Sequence, residues 1–405
     1  MDSNNWKKYK WGEISELKYG KALKGYKEKL SGVRVFGTNG PIGFTEEPLA
    51  DGPSVIIGRK GAYRGVHYTD APFYVIDTAF YLVPKIKMNM KWVYYELLLK
   101  DINSMDSGSA IPSTSKEDFY SLESGIPPLK VQNNIVAFLD LFESKIENNL
   151  SVIRNLEELS SSLFKRWFID FEFPNEQGLP YRSSGGEMIE SELGKIPKNW
   201  TVKSLSEITD KFTTGLNPRK NFVLGQGRNF YVTIKNMGNN IIVLNEKCDK
   251  IDDEALKIIN KRSDLKKGDV LFSGIGTIGR VYLIQKEPKN WNISESIFTL
   301  RHNSTISSEY LYQLMLSENI QKYSLSLASG SVQKGIRKTD LLNYKLAISN
   351  NSIENQFSLL IKPWIESVHN LNEENLKLRN LRDILLPKFL SGEIEIPGES
   401  VVEPS

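Results

Sequence analysis

The chain has 405 residues, of which 40% are apolar and 25% charged, with a net charge of +3, which is typical of a soluble globular protein of two or three domains. Its apolar runs are too short to span a bilayer and no hydrophobic segment follows the first lysines, so we expect a cytoplasmic protein without a signal peptide. The single cysteine excludes an internal disulfide, and the three histidines lack the spacing of metal ligands, so we predict no metal site.

Charge alternates along the chain. Residues 1–130 hold 18 Lys and Arg against 15 Asp and Glu, and residues 196–350 hold 23 against 14. The intervening residues 131–195 hold 6 against 11, and residues 351–405 hold 5 against 9. Basic segments attract a polyanion such as DNA, although ordinary solvated charge explains the small excess of the first segment equally well.

The sequence repeats itself with a unit of about 200 residues. The offset between matching segments grows from 194 to 222 residues, which places an insertion mostly around residues 220–265 of the second copy. The matching segments are Asn5-Trp6 with Asn199-Trp200, Val55–Gly61 with Val270–Gly276, Ile76–Phe80 with Ile293–Phe298, and Ser107–Ser109 with Ser329–Ser331.

Each copy begins with a mixed segment, residues 1–127 and 196–350, in which short strands and glycine-rich turns surround helices such as Trp92–Leu99 and Glu309–Ser317. A long amphipathic helix follows, over residues 128–170 and 351–392. Its apolar residues recur every three or four positions, which favours packing of the two helices as a coiled coil. The overall prediction is an α+β fold with an internal duplication.

Two further segments complete this prediction. Residues 171–195 are rich in proline, glycine and serine and are predicted to be a connector, and residues 393–405 are predicted to be a frayed tail.

We expect Trp167, Phe168, Trp364 and Phe389 to remain partly exposed at the helix ends. Exposed apolar patches of this kind predict an isolated chain of poor solubility that a partner protein rescues.

The segment SGIGTIG, Ser273–Gly279, matches the glycine pattern of dinucleotide-binding turns. That pattern requires a strand before the glycines and a helix after them. Here Asp269–Ser273 is a predicted strand, and Arg280–Gln285 is rich in β-branched and aromatic residues, which predicts a second strand. We therefore predict a hairpin loop instead of a nucleotide cradle.

The sequence motifs that could indicate catalytic residues are as incomplete as the dinucleotide-binding pattern. Asn217-Pro218-Arg219 lacks the second proline and the aromatic residue of an amino-methyltransferase loop. Glu143-Ser144-Lys145, with Asp140 one turn earlier, offers a nuclease-like triplet, but it lies on the first long helix, where charged residues normally form a solvated face. We predict no catalytic residue, and a stand-alone enzyme is disfavoured.

Four joints of the repeat resemble the type I restriction–modification specificity subunits. They are Gly125–Ile135 at the entry to the first long helix, Leu163–Phe171 at its exit, Ser191–Trp200 at the entry to the second domain, and Leu385–Ile394 at the end of the second long helix. The match covers nearly the whole chain in the family's order. It departs from the family pattern at Ile348–Gln356, where only Gln356 agrees.

This resemblance implies a non-catalytic subunit. Its two target-recognition domains, 1–127 and 196–350, would each read one half of a bipartite double-stranded DNA target. Its two antiparallel helices would set the spacing of the domains and dock two modification (methyltransferase) subunits, which restriction (endonuclease and translocase) subunits then join. S-adenosylmethionine, ATP and Mg would belong to those partners, and this chain would hold no cofactor.

Loops that combine glycine with Arg, Lys, Asn, Gln, Ser and Thr suit DNA recognition, because the backbone approaches a groove closely and the side chains supply donors and acceptors. The predicted contacts in the first domain are Thr38, Asn39, Arg59, Lys60, Tyr63, Arg64, Ser113, Thr114 and Lys116. Those in the second are Thr213, Thr214, Arg219, Lys220, Lys235, Asn236, Ser273, Ile275, Thr277, Arg280, Gln333, Lys334, Arg337 and Lys338.

Duplicated domains on an antiparallel helix pair predict half-sites about 10 bp apart, centre to centre. The two sets of loops differ in sequence, so the target is predicted to be asymmetric. The alternative is a scaffold protein whose paired helices assemble partners without reading bases. Steep weakening of DNA binding with rising salt would separate the reader from the scaffold.

Overall fold

The computed structural model describes residues 6–105, 112–219, 221–238, 240–330, 334–349 and 351–396. The chain divides into two compact units. The first unit contains residues Met1–Ile146 and Leu376–Ser405, and the second contains Glu147–Asn375. Each unit therefore combines one mixed α/β domain with a part of each long helix.

The first mixed domain contains three antiparallel or mixed sheets. Its elements are β1 Lys7–Lys10, α1 Trp11–Ile14, β2 Ser15–Tyr19, β3 Val33–Gly37, β4 Gly40–Thr45, β5 Ser54–Gly58, β6 Val66–Thr69, β7 Phe73–Val75, β8 Ala79–Pro84, α2 Met90–Leu98, α3 Lys116–Ser121 and β9 Glu123–Ile126. Four strands form the antiparallel sheet β2-β8-β5-β6. Three form the sheet β4-β3-β7, in which β3 and β7 run parallel. β1 pairs with β9.

The core of the first unit lies between the four-stranded sheet and the helices. The continuous apolar run of β5 is buried on both faces. A buried polar chain crosses this core, because Trp11 Nε1 donates to Ser124 Oγ at 3.0 Å and Ser124 Oγ donates to Glu96 Oε1 at 2.7 Å. Asn89 caps the start of helix α2, since its side chain accepts hydrogen bonds from two backbone N–H groups of the first turn.

The second unit repeats this plan with additions. Its elements after the first long helix are β10 Met188–Ser191, β11 Gly194–Pro197, β12 Thr201–Ser204, β13 Thr209–Thr214, β14 Asn229–Val232, β15 Met237–Gly238, β16 Ile241–Ile242, β17 Asp249–Ile251, α5 Asp253–Ser263, β18 Val270–Ser273, β19 Val281–Leu283, β20 Trp291–Ile293, β21 Ile297–His302, α6 Ser308–Leu316, α7 Glu318–Ser326, α8 Lys338–Leu342 and β22 Lys345–Ile348. The short hairpin β15–β16 and helix α5 lie within the stretch where the repeat offset grows.

The sheets of the two mixed domains have the same topology. The order β13-β21-β18-β19 corresponds to β2-β8-β5-β6, and the order β17-β14-β20 corresponds to β4-β3-β7. The pair β14 and β20 is parallel, as β3 and β7 are. β12 pairs with β22 as β1 pairs with β9. The internal duplication predicted from sequence is confirmed at the level of strand order.

The two long helices are α4, Leu129–Phe164, and α9, Asn351–Leu390. At 1.5 Å per residue their 36 and 40 residues are about 54 and 60 Å long. In the first unit, the ring of Phe138 on α4 lies 5.1 Å from that of Phe389 on α9. In the second unit, Phe164 on α4 lies 5.8 Å from Phe357 on α9. A second contact in each unit gives the direction of the pairing, because Glu143 meets Arg382 in the first unit and Asn149 meets Asn375 in the second. In each unit, later residues of α4 meet earlier residues of α9, so the helices pair antiparallel there.

The end of the first long helix differs from the prediction. The α-helix stops at Phe164 and continues as a π-helical turn over Lys165–Ile169. Trp167 and Phe168, expected to be partly exposed, are buried, and the Phe168 ring lies 4.8 Å from Tyr310. Phe389 is likewise buried, while Trp364 is half-buried. The expectation of exposure was wrong for the three buried residues, because each packs into the core of its own unit.

The connector 171–195 has more structure than its composition suggests. β10 and β11 form a hairpin at its end. The ring of Phe173 stacks on Tyr181 at 4.6 Å and on Trp200 at 5.2 Å. These stacked rings fasten the connector to the second mixed domain.

Candidate nucleic-acid interface

The glycine-rich segment that resembled a dinucleotide turn is a hairpin loop. β18 pairs antiparallel with β19, so a strand follows the glycines where a phosphate cradle needs a helix N-terminus. Gly276 and Gly279 have φ angles of +88° and +98°, in the left-handed region that glycine enters with little strain. The predicted hairpin is confirmed.

In both mixed domains this hairpin loop is held against the segment that precedes a short helix. In the second domain, Ile336 N donates to Gly274 O at 2.9 Å, just before α8. In the first domain, Thr114 N donates to Arg59 O at 2.8 Å, just before α3. The same backbone contact therefore joins equivalent loops in each copy of the repeat.

In each mixed domain a third loop contacts the hairpin loop. In the first domain, Thr38 Oγ1 lies 2.8 Å from Lys60 O and 2.9 Å from Thr78 O, where it acts as donor. In the second domain, the guanidinium of Arg280 donates to Ile234 O at 2.7 Å. These bonds place the turn that follows β3 in the first domain, and the turn that follows β14 in the second, beside the hairpin loop.

We name these two sets of loops the first and second loop clusters. The first loop cluster contains residues 38–39, 59–64 and 112–116, and the second contains 213–219, 233–236, 273–280 and 334–338. Most of the residues predicted to contact DNA fall in these clusters. Lys220 and Gln333 lie outside the described residues.

Some predicted residues of the first loop cluster serve the loop itself. Arg64 is only 3% exposed, and its guanidinium donates to Asn103 O at 2.6 Å and Gly61 O at 3.0 Å. The buried Thr114 donates from Oγ1 to Gly58 O at 2.9 Å. These internal bonds give both side chains a part in shaping the loop, which differs from the direct contact we predicted.

The side chain of Lys116 is also held by internal contacts. Its Nζ donates to Leu17 O at 2.5 Å and lies 4.1 Å from the centroid of the Tyr19 ring. Burial lowers the pKa of the Lys116 ammonium. The guanidinium of Arg59 packs over the same ring at 4.8 Å. Two cations are thus held beside one aromatic ring, which fixes their positions at the edge of the cluster.

The second loop cluster contains the same kind of internal support. Ser273 is fully buried, and its Oγ accepts a hydrogen bond from Arg280 N at 2.7 Å. The side chain of Asn236 is buried and closes a tight backbone turn. Lys338 Nζ donates to Phe212 O at 2.6 Å. These residues hold the loops in place.

The remaining predicted residues reach solvent to different degrees. Those exposed are Asn39, Tyr63, Arg219, Lys235, Thr277, Lys334, Arg337 and Lys338. Those half-buried are Thr38, Arg59, Lys60, Ser113, Lys116, Thr213, Thr214, Ile275 and Arg280. The exposed set is mostly cationic, as a surface that contacts phosphates requires.

The structure adds an acidic residue that the sequence prediction missed. Glu295 lies between β20 and β21 and lines an open groove of about 510 Å³, together with Arg219, Lys235 and Thr277. Its Oε1 accepts a hydrogen bond from Asn217 Nδ2 at 2.7 Å. An acidic residue occurs at this position in both copies of the repeat, because the strand pairings place Asp77 at the equivalent position of the first domain.

The described residues contain no helix long and apolar enough to cross a membrane. In the same part of the chain, no group of three or more His, Cys, Asp or Glu side chains is arranged to hold a metal ion.

Comparison with known proteins agrees with the duplicated architecture. The model of the type I restriction modification DNA specificity domain matches residues 3–158 and 197–374. The MjaIX specificity subunit of Methanocaldococcus jannaschii is 25% identical over 322 residues, which cover 78% of this chain and 71% of that protein. The HindI specificity subunit of Haemophilus influenzae is 23% identical, over 80% of this chain and 82% of that protein.

A solved structure shares the fold. The type I restriction–modification S subunit of M. genitalium has a TM-score of 0.59 and 18% identity, and the match covers 95% of this chain and 96% of that one. The family model matches both copies of the repeat and most of the chain. The chain therefore belongs to the family of type I restriction–modification DNA specificity subunits.

Proposed function

We propose that this chain reads a bipartite, asymmetric DNA target and docks the modification and restriction subunits that act on it. The first loop cluster reads one half of the target and the second loop cluster reads the other. The exposed residues of each cluster supply phosphate contacts and base contacts, while the buried residues described above keep the loops in shape.

The observation that carries this proposal is the duplicated loop cluster with divergent side chains. Equivalent backbone hydrogen bonds assemble the loops in both domains, at Arg59 and at Gly274. The side chains presented there differ, since Lys60 and Tyr63 of the first cluster correspond to Ile275 and Ile278 of the second. One scaffold with two different sets of side chains suits two different half-sites.

The proposed docking surface lies on the long helices. Large apolar side chains are exposed on both of them, although such residues normally face a core or a partner. In the first unit they are Leu141, Leu381 and Ile384, and in the second unit Val152, Leu159, Leu359 and Leu360. Leu359 is 74% exposed and Leu141 is 66% exposed. We propose that two modification subunits cover these residues and that restriction subunits join the resulting complex.

In this proposal the chain is not itself an enzyme. Methyl transfer from S-adenosylmethionine and the ATP- and Mg-dependent steps take place on the partner subunits. The loops of this chain place those subunits at one DNA sequence, and no side chain of this chain takes part in the reaction.

Salt dependence tests whether the chain reads DNA or only assembles partners. For the complex of this chain with its modification subunit, we expect the affinity for duplex DNA to fall on the order of 10³-fold between 50 and 200 mM salt. Replacing both Arg219 and Lys235 by alanine should make this dependence shallower, by about one unit of logarithmic slope per lost contact. Lys257→Ala, on an exposed face of α5, is the matched control. A shallow dependence that neither change alters would favour the scaffold.

A further inference from the structure

The groove of the second loop cluster holds a carboxylate in a fixed position. Glu295 Oε1 accepts from Asn217 Nδ2 at 2.7 Å. Glu295 Oε2 lies 3.1 Å from the hydroxyl of the buried Tyr231, whose single proton is shared with Leu216 O at 2.7 Å. One amide donor and one shared hydroxyl proton thus orient the acidic group toward the groove.

This part of the groove retains hydrogen-bonding capacity. An ionised carboxylate accepts about four hydrogen bonds, and only the two donors above are seen for Glu295 among the described residues. The neighbouring Ser294 lines the same groove, is 4% exposed, and its Oγ has no hydrogen-bond partner within the described parts of the chain. A buried polar atom without a partner is uncommon in proteins.

The charges around the groove favour a particular ligand. Arg219 and Lys235 are exposed at the groove and would attract phosphates. Glu295 would repel phosphates, so its ligand is a neutral donor carried by a polyanion. In the major groove of DNA the donors are the N4 amino group of cytosine and the N6 amino group of adenine. Adenine also presents the N7 acceptor, which a carboxylate repels, whereas cytosine presents only a donor.

We propose that Glu295 is a specificity-determining residue that accepts a hydrogen bond from the N4 amino group of a cytosine in one half of the DNA target. This inference rests on the proposed function, because it assumes that the second loop cluster faces DNA.

The first domain lacks a carboxylate that is available in the same way, so we expect the cytosine contact in only one half-site. Asp77 occupies the equivalent position, but its Oδ2 pairs with Lys60 Nζ at 3.3 Å. A carboxylate already bound to an ammonium is a weaker acceptor for a base. The repeat therefore has an acid at the same point in both copies, and only the second copy leaves it to accept from a ligand.

The test is the methylated motif in cells that express the modification subunit with either the wild-type chain or a Glu295→Gln variant. A glutamine amide both accepts and donates, and it pairs with adenine N6 and N7. We expect one C·G pair of one half-site to become permissive for A·T, with the preference for cytosine falling at least tenfold. The other half-site should stay unchanged. Glu254→Gln, at an exposed ion pair on α5, is the matched control and should leave the whole motif intact.

A second variant guards against a folding defect. Glu295→Asp keeps an acceptor-only side chain, so it should retain cytosine at that position with slower modification. An unchanged motif in a folded Glu295→Gln variant would overturn the inference, and so would a wild-type half-site pair without any C·G base pair. If the wild-type chain produced no motif at all, the proposed function would fail first, which is a distinguishable result.

Discussion

Neighbouring residues of the first loop cluster have opposite roles. Arg64 is buried and donates to backbone carbonyl groups, whereas Tyr63 is 79% exposed. We predict that Arg64→Ala lowers the free energy of unfolding by about 1–3 kcal/mol, because it leaves the carbonyl of Asn103 without its donor. Thermal unfolding of the purified chain measures this effect.

Tyr63→Ala is the matched control for that variant. It removes an exposed ring, so the free energy of unfolding should change by less than about 0.5 kcal/mol. Weaker DNA binding is expected for both variants, for different reasons. Equal stability of Arg64→Ala and wild type would contradict the part that we assign to the buried guanidinium.

A half-buried carboxylate gives a prediction about pH. Glu157 on α4 contacts the side-chain amide of Asn240, and burial raises the pKa of Glu157 above its usual value. The charged form is therefore penalised in the folded state once the pH exceeds the unfolded pKa of about 4.3. Glu157→Gln should stabilise the protein at pH 7 and have no such effect near pH 3.5. Unfolding curves at the two pH values would contradict this if the difference were absent or reversed.

At the level of elements, the helix pair contains a buried polar layer. Asn149 on α4 is 1% exposed, and its Nδ2 donates to Asn375 Oδ1 at 3.0 Å and to Glu374 Oε2 at 2.7 Å. Asn375 Nδ2 is buried without a partner among the described residues. Polar layers of this kind fix the register of paired helices at a cost in stability.

This layer predicts a non-additive pair of substitutions. Asn149→Leu alone should lower the free energy of unfolding by about 1–3 kcal/mol, because Asn375 loses its donor in an apolar setting. The double change Asn149→Leu with Asn375→Leu should recover most of that loss, because two apolar side chains replace two polar ones. A double variant as unstable as the sum of the two single variants would contradict the pairing.

The strands and helices were predictable where the pattern is local. Helix α2, predicted as Trp92–Leu99 and found at Met90–Leu98, was recognisable from its sequence, and so was the hairpin at Gly274–Gly279. The burial of Trp167 was not, because it depends on Phe357, which is distant in sequence. The packing of the connector could not be predicted for the same reason, since it depends on the stacking of Phe173 with Trp200.

The sequence predicted which loops form the candidate site, but not the role of each side chain in them. Glycine and cationic residues marked the segments that form both clusters, but they did not separate exposed side chains from supporting ones. Arg64 and Tyr63 differ in burial although they are adjacent. Glu295 was missed because an isolated acid carries no DNA-binding pattern, and only its bonds to Asn217 and Tyr231 reveal its orientation.

At the level of the whole molecule, exposed leucines predict dependence on a partner. We expect the isolated chain to be poorly soluble and co-expression with the modification subunit to rescue it. Leu359→Ser should improve the solubility of the isolated chain and reduce co-purification of that subunit. Leu30→Ser is the control, since Leu30 is also exposed but lies on a loop of the first domain. Good solubility of the wild-type chain, unchanged by the partner, would contradict the docking surface.

We propose that this chain alone selects the DNA sequence. The decisive measurement maps methylated bases across the genome of cells that express the modification subunit, with and without this chain. We expect a new motif made of two unlike short blocks, separated by unspecified bases, that appears only when the chain is present. Modification that appears without the chain, or a continuous palindromic motif, would contradict this role and favour a scaffold that assembles partners without reading DNA.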